Sequence, residues 1–168
     1  MNGLDKPAHG RGFSLPEVLV VVAIIGLLAS LAGQSGGELL ARARLEAATR
    51  RLHQGLQRAR AEAGRHGQPC GMRLHQGGWG APLSSSLPAC QRTLQRLEGP
   101  LSKRAVHVEH NFPELLRFTS NGLALDGGTA VLRTAGTALQ RCVVMALPLG
   151  VVRLGRYEAG SCHFDPSL

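Results

Sequence analysis

The sequence predicts an α+β fold: a long N-terminal helix, part transmembrane and part amphipathic, packed on an antiparallel C-terminal β-sheet. Three observations carry this. An apolar stretch begins near residue 18, with no charged side chain from Val18 to Gly37. An apolar stripe at helical spacing follows it. Beyond residue 67 the texture changes to glycine, proline and short alternating runs bounded by turn residues, the pattern of strands and hairpins.

Length and composition set the frame. A chain of 168 residues allows one modest domain with an appended segment. Its formal net charge of +8 is carried almost wholly by arginine. Such a surface suits phosphate or anionic lipid, but the arginines are dispersed, and composition alone also accounts for them.

The first element is the apolar helix. About 20 uncharged residues suit a crossing of a hydrocarbon core roughly 30 Å thick. A signal-peptide core is shorter, about 7–15 residues, and ends at a small-residue cleavage site. Here the polar lead-in "MNGLDKPAHGRG" ends in glycine before the apolar run. Lys6 and Arg11 favour a cytoplasmic lead-in and the arginines beyond residue 41 argue the other way, so the charge rule does not settle orientation. Glu17 is the anomaly, since an ionisable group in such a segment is costly and reads as functional. A cut between Gly12 and Phe13 would create an amine one helical turn before Glu17, and residues four apart share a helix face. Pro16 fits the first turn, where its missing N–H is not needed.

"GFSLPEVLVVVAIIGLLASLA" resembles the prepilin cleavage and methylation motif of type IV pilins and type II secretion pseudopilins. The resemblance implies that a prepilin peptidase cuts after Gly12 and methylates Phe13. It implies that Glu17 guides assembly by pairing with a neighbouring subunit's amine. Pro16 stands where the family more often has an aliphatic residue.

The expected organisation is a leader at 1–12, a transmembrane and assembly helix at 13–37, an amphipathic helix at 38–67 and a β-rich periplasmic domain at 68–168. "GQSGG" (33–37) predicts a break between the two helices, at about 1 kcal/mol per glycine relative to alanine. The second helix, from about Glu38 to Ala63, presents Leu45, Ala48, Leu52, Leu56, Ala59 and Ala63 as one stripe, and Gly64 and Gly67 supply its stop. Strands are expected near 70–74 and at 104–110, 115–120, 123–125, 129–135, 141–147 and 150–157. Asn121-Gly122 and Asp126-Gly127-Gly128 mark turns, and Pro148-Leu149-Gly150 joins the last two strands.

Four cysteines allow three pairings. The simplest is Cys70–Cys90 with Cys142–Cys162, each closing a loop of about 20 residues, in a periplasm that permits disulfides. No spacing suits zinc or a redox motif. His53, His66 and His75 lack any tight spacing to a cysteine or acid, so neither a metal nor a cofactor is expected. No nucleophile elbow, phosphate-cradling loop or acid pair points to catalysis. The chain reads as a substrate of an enzyme, not an enzyme.

"LQRARAEAGRHGQPC", "LRFTSNGLAL" and "RCVVMALPLGVVRLGR" resemble the end of the long helix and the C-terminal strands of the GspH/FimT family, while the stretch 75–104 matches nothing recognisable. Two functions follow from the resemblance. The leading expectation is a minor type IV pilin that supports pilus biogenesis and binds or imports DNA; the alternative is a type II secretion minor pseudopilin that supports protein export. In the FimT branch a Gly-Arg-x-Arg motif contacts DNA. Here Gly150-Val151-Val152-Arg153 lacks the first arginine, leaving Arg153 and Arg156 as the candidates. The implied partners are the prepilin peptidase, other pilins or pseudopilins in a filament, the membrane through a single pass, and DNA. The implied location is the inner membrane with a periplasmic C-terminal domain, then the pilus or pseudopilus. A bitopic membrane protein with a sensory or binding domain and no filament role would make Gly12-Phe13 and Glu17 coincidences.

Overall fold

The computed structural model describes residues 14–83, 86–90, 97 and 106–166, the side chains of 31–35 excepted. The chain divides into two compact units, Met1–Gly37 and Glu38–Leu168. The elements in order are α1 (Leu15–His66), β1 (Cys70–His75), β2 (Gly78–Gly80), β3 (Val106–His110), β4 (Leu116–Phe118), β5 (Gly128–Thr134), β6 (Arg141–Ala146), β7 (Val151–Glu158) and β8 (Ser161–Phe164). A long helix packed against antiparallel sheets is the α+β architecture expected.

The break expected at 33–37 is absent: α1 is helical from Leu15 to His66 without interruption. Each glycine weakens a helix by about 1 kcal/mol relative to alanine but keeps its N–H, so no hydrogen bond is lost. Ending the helix would also require a second, unfavourable nucleation within a few residues. The stop falls near its expected place, with Gly67 at φ +60° just past His66, whereas Gly64 is still helical.

In the second unit the expected stripe is the core. Leu45, Ala48, Leu52, Leu56, Ala59 and Ala63 are all buried, with Ala41 one turn earlier. They meet Met72, Leu116, Phe118, Val108, Leu132 and Val143 from the strands. Buried Thr49 returns its hydroxyl to the Leu45 carbonyl at 2.8 Å, so its polar atom is satisfied inside the apolar stripe.

The strands form a three-stranded sheet of order β2-β1-β4 and a five-stranded sheet of order β3-β5-β6-β7-β8, every named pair antiparallel. Most expected strands appear within a residue or two. Residues 104–105 of one lie outside the described residues. The run 123–125 is not a strand; only Ala124 bridges, to Phe118. The reason is local: Thr119 N–H donates to the Leu123 carbonyl at 2.9 Å and Leu123 N–H to the Thr119 hydroxyl at 3.0 Å, closing a tight loop. Gly122 sits in that loop at φ +73°, and a Cβ there would stand 3.0 Å from the Arg60 carbonyl of α1. Only glycine satisfies both conditions.

Two disulfides, Cys70–Cys90 and Cys142–Cys162, staple the domain. The first fastens the loop at 86–90 beside β1, where Gly71 N–H donates to the Pro88 carbonyl and Cys90 N–H to the Gly71 carbonyl. The second joins β6 to β8 across the intervening β7. Next-but-one strands in a flat sheet lie about 9.6 Å apart, twice the usual spacing of about 4.8 Å, yet these two Cα atoms are 6.0 Å apart. The β7–β8 hairpin therefore curls over the sheet. Gly155 of β7 lies beneath, with no space for a side chain: a Cβ would stand 2.2 Å from the His163 carbonyl oxygen.

Candidate assembly site

The start of α1 is built from four residues. Ser14 precedes the helix, and its carbonyl accepts the N–H groups of Glu17 at 3.0 Å and Val18 at 3.1 Å. Pro16 lies in the first turn, where helix N–H groups have no partner within the helix. The Glu17 carboxylate folds back, and its Oε2 accepts the Ser14 backbone N–H at a long 3.4 Å. Ser-x-x-Glu in this arrangement is half of a capping box, a signal that a reading centred on the apolar run passes over. Negative charge is also favoured at this end by the helix dipole. The result is an exposed carboxylate at the head of the helix. Gly12 and Phe13, the expected cleavage and methylation positions, lie outside the described residues.

Behind Glu17 the helix is apolar on every face. Every large aliphatic side chain from Leu15 to Leu28 is 47–75% exposed. A helix apolar all round is a buried helix in its working environment, so this surface calls for lipid or for other helices. Among the described residues, no helix is long and apolar enough to cross a membrane.

The DNA candidates are both exposed on β7 but are not brought together. Arg153 pairs in register with Val144 and Arg156 with Arg141, so their side chains leave opposite faces of the strand. Arg156 lies 3.5 Å from Glu158. Val151 shares the face of Arg153 and is 40% exposed. Among the described residues no group of His, Cys, Asp or Glu is arranged to hold a metal.

Two polar arrangements escaped the sequence reading. Arg141, at the start of β6, is buried and donates to Glu46 of α1 and to Asp165 near the C-terminus, each at 2.9 Å. The Arg141 Nε has no partner among the described residues. No local pattern signals this triad, because its members are 95 and 24 residues apart. The other is bidentate: Arg117 donates through Nε and Nη2 to the two oxygens of Asp126, each at 2.9 Å. Those bonds hold the Asp126 carboxyl below the usual carboxylate range and pin the loop that carries Leu123 and Leu125.

Residues 48–148 match the family model described as type II transport protein GspH, and residues 8–33 match the prokaryotic N-terminal methylation motif. No curated protein and no solved structure matches the chain. The first match covers most of α1 in the second unit and the strands through β6; the second covers the start of α1 and the lead-in before it.

Proposed function

The chain belongs to the type II transport protein GspH family of pilin-like, non-enzymatic proteins, and from that premise we propose that it is a minor pseudopilin of a type II secretion system. Its N-terminal methylation motif makes it a substrate of a prepilin peptidase. In this reading the peptidase removes residues 1–12 after Gly12 and methylates Phe13. Residues 13–37 anchor the subunit in the inner membrane and then pack among other subunits' helices. The disulfide-stapled domain stands in the periplasm.

The observation that carries the proposal is the pairing of Glu17 with an all-round apolar helix. In lipid, a carboxylate at this depth is costly without a partner. In a filament it meets the amine of the next subunit, and the exposed aliphatic side chains meet those of neighbouring helices. The carboxylate folds back toward the Ser14 N–H at 3.4 Å, which keeps it at the N-terminal end of the helix, where this reading needs it.

The minor type IV pilin reading, with DNA binding and uptake through Arg153 and Arg156, has less support. The matched family is described by type II transport, and the two arginines leave opposite faces of β7. The test is deletion of the chain in a cell that runs both machines. Loss of protein export with pilus-dependent DNA uptake intact is the expected result. Loss of uptake with export intact would reverse the ranking.

A further inference from the structure

The domain of Glu38–Leu168 exposes apolar side chains outside its core. Leu123, Leu125, Leu147, Leu149 and Val151 are 38–56% exposed. They form one surface, because the loop 123–127 abuts the turn 147–150. A Cβ on Gly150 would lie 3.0 Å from the Ala124 Cβ, and one on Gly127 would lie 3.1 Å from the Leu147 Cγ. Contiguous exposed aliphatic surface of this kind is uncommon unless a partner covers it.

The rim is basic. The Arg60 Cδ lies 3.6 Å from the Gly150 Cβ position, with its Nε donating to the Gly122 carbonyl. Arg153 stands two residues beyond Val151 on the same face of β7. Among the described residues neither Arg60 nor Arg153 forms an ion pair. The acid beside the patch, Asp126, is already taken by Arg117. An occupant must therefore bring aliphatic side chains for the centre and unpaired carboxylates for the edge, since complementary rim charge steers association and rejects wrong partners.

We propose that this patch docks the globular domain of a different, acidic pilin-type subunit of the same filament; this rests on the filament reading above. A second copy of this chain would set two basic rims against each other, in a protein of net charge +8. A bilayer surface is a poorer fit, because the patch carries no tryptophan or tyrosine to anchor it at the interface.

The test places a photo-crosslinking amino acid in the full chain in its native cells, one position at a time. Leu149 probes the patch, Leu28 the N-terminal helix, and Leu83, exposed elsewhere on the domain, serves as the control. The expected result is a Leu149 adduct identified by mass spectrometry as another pilin-type subunit, joined at a surface bearing Asp or Glu, with no such adduct from Leu83. Arg153→Glu should then reduce the Leu149 adduct at least fivefold and leave the Leu28 adduct unchanged. Pilin-type adducts from Leu28 but none from Leu149 would overturn the docking surface alone. Adducts from Leu149 to lipid or to a second copy of the chain would do the same, as would indifference to Arg153→Glu. No pilin-type adduct from either position would overturn the filament reading and the patch with it.

Discussion

Gly55 tests whether packing or propensity governs α1, because the two predict opposite signs. Helix propensity alone favours Gly55→Ala by about 1 kcal/mol. The structure opposes it: Gly55 is buried beneath Trp79, and a Cβ would stand 2.0 Å from the indole Nε1 and 2.3 Å from Cδ1. Trp79 is itself buried and donates its Nε1–H to the Leu52 carbonyl at 3.3 Å. To admit a methyl group the ring must move, at about 1–3 kcal/mol for overpacking. Displacement also strands the buried indole N–H, at about 1–3 kcal/mol. Set against the propensity gain, the net destabilisation is roughly 1–5 kcal/mol. Trp79 is the chain's single tryptophan, so urea unfolding of the unit Glu38–Leu168 followed by its fluorescence reports on this contact directly. With a urea slope of about 2 kcal/mol/M the midpoint should fall by about 0.5–2.5 M. The control is Gly64→Ala, a helical glycine whose Cβ would meet the Gly122 backbone at an ordinary 3.6 Å. It should be neutral or stabilising by up to about 1 kcal/mol. A Gly55→Ala domain as stable as the wild type would refute the packing argument.

Replacing both Cys142 and Cys162 with alanine opens a 20-residue loop and should cost about 3 kcal/mol; amide hydrogen exchange should show β8 losing protection before β5. Burial pushes the His53 imidazole below its usual value, so as pH falls through about 6.5 the unfolded chain takes up that proton first. The wild type should therefore lose stability relative to His53→Gln between about pH 7.5 and 5, and parallel pH profiles from urea titrations would contradict this. Glu17→Ala should be processed normally but recovered poorly in sheared filaments relative to total membrane protein; equal recovery would remove Glu17 as the docking group.

Much of the fold was legible because its signals are local. The stripe from Leu45 to Ala63 is read from spacing alone, and every member named is buried. Strands β5, β6 and β7 are long enough to alternate and are bounded by turn glycines. The short β2, with two glycines in three residues, carries no alternation to read, and β8 exposes most of its residues, so both escaped. The helix through 33–37 was misread because propensity sums local costs and omits the penalty of starting a second helix.

The assembly site divides along the same line. Glu17 is conspicuous because its anomaly, a carboxylate heading an apolar run, is visible within a few residues. The clamp on the C-terminal hairpin is invisible for the opposite reason. Arg141 and Cys142 are consecutive on β6 and so face opposite sides of the sheet. On one side Arg141 reaches Glu46 and Asp165; on the other Cys142 reaches Cys162. Periodicity assigns the two faces but cannot name partners 20 to 95 residues away. The arrangement has a consequence for how the domain closes. Burying the Arg141 charge is costly until its acids arrive, and one of them, Asp165, lies almost at the end of the chain. The hairpin that delivers it must also bend over Gly155, which no other residue permits. Closure of β8 thus brings Asp165 to Arg141 and Cys162 to Cys142 in one step.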